Sequence, residues 1–274
     1  MTCFMPRGTA LFDCTGRAAV ITGPAGLLGP IWARTLLHAG ATVVLVAEPG
    51  TAARPEVSDL AGDPRVTVVT AEITDAGQLA AARDEVAAEF GPPHILVASA
   101  GVDHPPAFGH PIDLSNLTSA DIERTVHVNV AGTLLTVSAF GGIMASAGRG
   151  SIILIGSQYA AVSPRPRMYD HLSEDGLPFV KNPAYGASKA AVASIARYFA
   201  AYWGTMGVRV NALSPGGVRS GQDPEFQRKF SSEVPLGRLL EPAELEGPLL
   251  FLASDASSYV TGTHLIIDGG YTTW

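Results

Sequence analysis

The feature that most constrains this chain is an alternation. Short, nearly continuous apolar runs recur at Ala18–Thr22, Thr42–Ala47, Val66–Thr70, Ile95–Ser99, Ser151–Ile155, Val208–Leu213 and His264–Ile267. Helix-period segments fill intervals near residues 27–39, 76–90, 118–147, 184–204 and 242–253. A strand that is apolar along its whole length, rather than at every second residue, must be covered on both faces. Parallel strands also need long crossover connections, and a helix is the usual one. The alternation therefore predicts an α/β fold, a doubly wound parallel sheet of about seven strands with helices on both faces. In the first helix, Leu28, Ile31, Trp32 and Leu36 form the face expected to turn inward.

Bulk properties narrow the function. The chain has 274 residues, 47% apolar and 16% charged, enough to bury one large core. No internal repeat, low-complexity segment or second-domain boundary is visible. The net charge is −7 and no run of five or more Lys/Arg occurs, so no nucleic-acid surface is expected. Cys3 and Cys14 lack a CxxC context, and the seven histidines lack HxxxH or HExxH spacing, so no metal site is expected. The first residues lack a basic segment followed by an apolar one, and no apolar run reads as a membrane span. The expected protein is cytoplasmic and meets no membrane. Residues 1–14 are read as an N-terminal extension and 15–274 as one domain.

The loop after the first strand carries the first chemical signal. "ITGPAGLLGP" places Gly23, Gly26 and Gly29 between a strand and a helix. Glycines there let backbone approach a pyrophosphate, while the helix N-terminus supplies unpaired N–H donors. Pro30 does little harm, because the first N–H groups of a helix have no intrahelical partner. Glu48 ends the second strand 19 residues after Gly29, a spacing that suits a carboxylate on a ribose 2′-hydroxyl and disfavours a 2′-phosphate. NAD is therefore expected. Arg54 is the nearest cation and keeps NADP as the alternative.

The second signal is "YGASK". The i, i+4 spacing puts Tyr185 and Lys189 on one helix face. A free phenol titrates near ~10 and is a poor acid–base group at neutral pH, but a neighbouring ammonium stabilises its phenolate. With "TGPAGLLG" at 22–29, "ASAG" at 98–101, "NVAG" at 129–132, "GSIILIGS" at 150–157, "NALSPGGV" at 211–218 and "FLASDASSYVTGTHLIIDGG" at 251–270, the chain resembles the short-chain dehydrogenase/reductase family over nearly its whole length.

The resemblance implies a single Rossmann-type domain and a set of roles. Tyr185 would be the general acid/base, and Lys189 would lower its pKa and bind the nicotinamide ribose. Ser157 would orient the substrate oxygen. Asn129 would kink its helix and hold a water in the proton relay. The dinucleotide would meet Gly23, Gly26, Leu28, Gly29, Glu48, Glu72, Ile73, Ala100, Gly101, Tyr185, Lys189, Pro215, Gly216, Val218 and Ser220. The implied reaction interconverts a secondary alcohol and a ketone on a small polar, sugar-like or natural-product substrate. An NADPH ketoreductase, a transient-oxidation epimerase and a non-catalytic dinucleotide-binding scaffold are the alternatives. The helices at 118–147 and 184–204 resemble the family's subunit contacts, implying a homodimer or homotetramer.

The chain departs from the family pattern in places. Leu27 stands at the usual middle glycine, with Gly26 one residue early, a spacing that resembles the epimerase/dehydratase branch. Ala98-Ser99 replaces the usual Asn-Asn, which predicts a loosened strand-to-strand hydrogen bond. Ser157 and Tyr185 are 28 residues apart, so 158–183 forms a long loop anchored at both ends by catalytic residues. Its Gln158, Tyr159, Arg165, Arg167, Tyr169, Asp170, His171 and Glu174 are candidate substrate contacts, or else a surface against another subunit. The loop at 102–111 follows the fourth strand and is a further candidate pocket lining. Residues 219–238 match the family's lid, with Phe226 and Phe230 spaced to make an apolar wall.

Overall fold

This structure is a computed structural model that describes residues 8–103, 114, 117–172 and 179–274. Seven strands form one sheet: β1 (Ala18–Thr22), β2 (Thr42–Ala47), β3 (Val66–Thr70), β4 (Ile95–Ala98), β5 (Gly150–Ile155), β6 (Val208–Pro215) and β7 (His264–Ile267). Every pairing is parallel, in the order β3-β2-β1-β4-β5-β6-β7. Strand β6 runs two residues past its apolar segment because Ser214 and Pro215 still pair with Ile266 and Ile267.

Helices α1 (Gly29–His38), α2 (Pro55–Ala61) and α3 (Ala76–Phe90) connect the first four strands. Asp75 caps α3 by accepting from the N–H groups of Gly77 and Gln78. Then come α4 (Ser119–Val126), a π-turn (His127–Gly132) and α5 (Thr133–Ser146), followed by α6 (Pro183–Trp203), α7 (Pro224–Ser232) and α8 (Glu246–Ala253). Apolar periodicity misses α2 and α7, both under ten residues with a proline in the first turn. It also reads 118–147 as one helix, where the structure widens the middle turn around Asn129. The stretch Ile122–Ser146 is long and apolar enough by length and composition to cross a membrane, which corrects the expectation that no run reached that length. Half of it is buried within the protein.

Successive residues of each strand face opposite layers. Val20, Val44, Leu96 and Ile152 enter one core with Phe140 and Trp203, while Ile21, Leu45, Val97 and Ile153 enter the other with Trp32 and Leu36. Two-sided burial explains why the strands read as continuous apolar runs. The fully buried Trp32 needs a partner for its indole N–H, and it donates to Ser99 Oγ at 2.9 Å. The Thr22 hydroxyl accepts from the N–H groups of both Ser99 and Ala100 at 3.2 Å. Ser99 therefore ties α1 to β4. At the N-terminus, Cys14 is fully buried and its N–H donates to the Ala39 carbonyl at 2.8 Å, so packing on the domain begins inside the segment read as an extension. Residues 1–7 of that segment lie outside the described residues.

The glycines of the first loop differ in what they permit. A Cβ on Gly29 would lie 2.4 Å from the Pro24 carbonyl oxygen. A Cβ on Gly26 would meet nothing closer than 3.6 Å. Gly29→Ala is expected to cost about 1–3 kcal/mol through overpacking, whereas Gly26→Ala stays within about 0.5 kcal/mol of the wild type. Urea unfolding of both variants checks the contrast.

Candidate active site

The strand order reverses between β1 and β4, and a crevice opens beyond the carboxyl ends of the strands there. A cleft of about 500 Å³ occupies that position. Gly23, Gly26, Leu28, Gly29, Glu48, Glu72, Ile73, Ala100, Gly101, Tyr185 and Lys189 line it, together with Thr51, Arg54, Thr74, Arg124 and Val128. The sequence left Thr51, Thr74, Arg124 and Val128 unremarked, because no local pattern reports which loops converge. Pro215, Gly216, Val218 and Ser220 are not among the lining residues. Pro215 ends β6 and the other three follow it; there the Gly216 N–H donates to the Ile267 carbonyl and Val218 bridges Leu240.

The cradle is built by close backbone approach. Gly23 has φ +70°, and a Cβ there would lie 2.6 Å from Ala100 Cα. The loop thus lies directly on the end of β4 and leaves backbone facing the cleft, which fits a pyrophosphate. Leu27 is 53% exposed at the cleft's edge. Glu48, just past β2, and Arg54, at the residue before α2, both line the cleft. Glu72 is held by its own turn, its carboxylate accepting from the Thr74 N–H and hydroxyl.

Of the four polar residues carried by the motifs, Tyr185 and Lys189 line the cleft, while Asn129 and Ser157 stand behind them and are not among its lining residues. Asn129 is 1% exposed in the π-turn. Its Oδ1 accepts from the Val102 N–H at 2.7 Å, and its Nδ2 donates to the Val102 carbonyl at 2.9 Å and to Ser188 Oγ at 3.0 Å. One amide thereby fastens the π-turn to the loop after β4 and to α6. The Asn129 carbonyl itself accepts from the Thr133 hydroxyl. Lys189 Nζ donates to the Ile155 carbonyl at 2.9 Å and stands 5.8 Å from the Tyr185 ring centroid. Burial pulls the Lys189 ammonium down to about 8. Burial pushes the Tyr185 phenol up, and the Asp103 charge adds to that, while a hydrogen bond with Ser157 pulls it down. Ser157 Oγ also accepts from the Tyr159 N–H at 3.2 Å.

The loop from 158 folds against the lid. Arg165 and Arg167 both pair with Glu233, just past the end of α7. Arg165 also donates to the Trp274 carbonyl and lies 5.3 Å over the Tyr271 ring. His171 Nε2 is 3.0 Å from Asp223 Oδ1 at the start of α7, and its Nδ1 is 3.2 Å from Lys229 Nζ, which also pairs with Asp170. The buried Tyr169 packs against Phe179 and Phe226, with its hydroxyl 3.3 Å from that of Tyr159. Arg165, Arg167 and His171, expected to meet substrate, are thus engaged by the lid, because Glu233 and Asp223 bracket α7 with carboxylates. Gln158 is 2% exposed and its Oε1 has no partner among the described residues. Phe230 stacks on Tyr271 at 5.1 Å, closing a small apolar cluster shared by loop, lid and C-terminus. Glu174 and, of the loop at 102–111, residues 104–111 lie outside the described residues. Lys181, which no sequence motif marks, pairs with Asp103 beside Tyr185. Its one signal was its position four residues before the tyrosine.

The geometry defines a class: a doubly wound dinucleotide cleft lined by a half-buried tyrosine and a buried lysine. A family model described as enoyl-(acyl carrier protein) reductase matches residues 28–272. The chain is 34% identical over 270 residues to galactitol 2-dehydrogenase (L-tagatose-forming) of Cereibacter sphaeroides, covering 96% of this chain and 98% of that one. A gluconate 5-dehydrogenase from Burkholderia cenocepacia, solved with NADP and tartrate, aligns at TM-score 0.81 and 28% identity over 96% of this chain and 98% of its own. A short-chain dehydrogenase from Leptospira borgpetersenii with bound NAD+ aligns at TM-score 0.83 and 27% identity over 99% of both chains. The chain belongs to the short-chain dehydrogenase/reductase family. It is an oxidoreductase that interconverts an alcohol and a ketone on a small molecule, and its family binds nicotinamide dinucleotides.

The depressed Lys189 pKa has a signed consequence. The native state releases this proton near pH 8, the unfolded chain near 10.5. Lys189 therefore adds stability as pH rises from about 8 toward 10.5, by up to about 3 kcal/mol, and that contribution is absent below 8. Comparing urea unfolding of wild type and Lys189→Met at pH 7.5 and pH 10 checks this, with the difference expected to move toward the wild type at pH 10.

Proposed function

We propose that this protein is an NAD(H)-dependent dehydrogenase of a small polyhydroxylated alcohol, with Tyr185 as its general acid/base. The observation that carries the reading is the half-buried Tyr185 beside the buried Lys189, in a cleft that Glu48 also lines. A bound nicotinamide dinucleotide would supply the hydride acceptor or donor. The glycine loop would hold its pyrophosphate, Glu48 its adenosine ribose, and Pro215, Gly216, Val218 and Ser220 its carboxamide end. Glu72, Ile73, Ala100 and Gly101 would border it between these ends.

In alcohol oxidation Ser157 Oγ holds the substrate oxygen. Tyr185 Oη takes the hydroxyl proton as the carbinol hydrogen leaves with its electron pair. The Lys189 ammonium favours the phenolate at that moment, and its bond to the Ile155 carbonyl fixes where it stands. Asn129 holds the loop after β4 against α6, so the floor beneath the lysine does not shift, and it supports a water on the path from Lys189 to solvent. Reduction runs the same proton in reverse. The galactitol-oxidising relative and the tartrate held by a structural neighbour support a substrate with several hydroxyls.

Arg54, on the same wall as Glu48, supports a second reading in which NADPH is the cofactor. A homodimer or homotetramer is supported by the exposed Tyr198 and Tyr202 on α6 and Leu134 on α5. A cytoplasmic setting is part of the same reading.

Tyr185→Phe is expected to lower kcat by about 10²–10⁴-fold while leaving the NADH dissociation constant within threefold. Steady-state kinetics and fluorescence titration check this, and an unchanged kcat would remove the catalytic reading. The same titration is expected to give NADH at least about tenfold tighter than NADPH, and Glu48→Gln to narrow the gap. Tighter NADPH binding would transfer the assignment to Arg54.

A further inference from the structure

The chain contains only three lysines, Lys181, Lys189 and Lys229. Lys189 serves Tyr185, and Lys229 ties the lid to the loop. Lys181 has no role in either. It lies four residues before Tyr185, as Lys189 lies four after, but outside α6. Its Nζ stands 4.9 Å from the Tyr185 ring centroid and 5.4 Å from that of Tyr159. Its partner is Asp103, on the loop beyond β4 that lines the cleft. The Lys181 side chain is 10% exposed and that of Asp103 32%.

We infer that Lys181 and Asp103 form the subsite that recognises a hydroxyl-bearing carbon next to the reacting one. The inference rests on the polyol reading above and adds its specificity determinant. After their mutual bond the ammonium keeps further N–H donors and the carboxylate keeps Oδ1, and neither has another hydrogen-bond partner among the described residues. A vicinal hydroxyl is both donor and acceptor, so it bridges such a pair. A neutral polyol leaves the charges balanced. A carboxylate at the same place would face the repulsion of Asp103. Because the Lys181 ammonium is largely withdrawn from water, a hydrogen bond from it counts for more than one on the surface. The faces of Tyr159 and Tyr185 bound the ammonium and set its distance from the reacting carbon.

The test compares galactitol with cyclohexanol, which has no vicinal hydroxyl, in wild type, Lys181→Met, Asp103→Asn and Lys181→Arg. The wild type should favour galactitol. In Lys181→Met and Asp103→Asn, KM for galactitol should rise at least about tenfold with kcat within about threefold, and the galactitol-to-cyclohexanol ratio of kcat/KM should fall at least about tenfold. Lys181→Arg keeps the charge and should recover most of the preference. NADH titration reports whether each variant folds, and if Lys181→Met does not, Asp103→Asn with Lys181→Arg decides. Equal losses on both substrates would make the pair a staple for the loop and overturn the inference, as would no change in the ratio. A wild type without preference for galactitol would instead overturn the polyol reading beneath it.

Discussion

The proposed catalytic arrangement depends on one buried contact, the hydrogen bond from Lys189 Nζ to the Ile155 carbonyl at the end of β5. An ammonium taken out of water is costly unless its donors are met. Here the last carbonyl of a central strand meets one of them, and burial still pulls the group down to about 8. The contact registers α6 on the sheet, and α6 carries Tyr185. The position of the proposed general acid/base is therefore set by the sheet itself. Asn129 secures the same point from the other side by tying the π-turn to Val102 and Ser188.

Much of this was legible in the sequence, for a physical reason. Strands buried on both faces must be apolar throughout, so β1, β2, β3 and β7 showed their limits directly. Tyr185 and Lys189 share a helix face by spacing alone. Gly29 announced a close approach that the structure locates against Pro24. Other features were hidden. Helices α2 and α7 are too short for a period to develop. The π-turn keeps the apolar content of the flanking helices, so nothing in composition marks the extra residue in its turn.

The long loop was the least legible part. Its charged residues read equally well as substrate contacts or as a surface. Arg165, Arg167 and His171 instead meet carboxylates at the ends of α7, and Tyr169 joins an apolar cluster with Phe230 and Tyr271. Pairing between segments over fifty residues apart cannot be read from either one. The same holds for Lys181 and Asp103, whose meeting beside Tyr185 depends on how α6 and β4 sit on one sheet. Ser99 shows the converse: a departure that looked like a loosened hydrogen bond supplies the partner for Trp32.

The most direct measurement of the central claim is the fate of hydrogen from the carbinol carbon. Galactitol deuterated at C2 would be oxidised in ordinary water with NAD, and the products read by NMR. The account predicts deuterium at C4 of the reduced nicotinamide, with a ketone as the other product. Deuterium released to water, or retained in a sugar alcohol of inverted configuration, would contradict it.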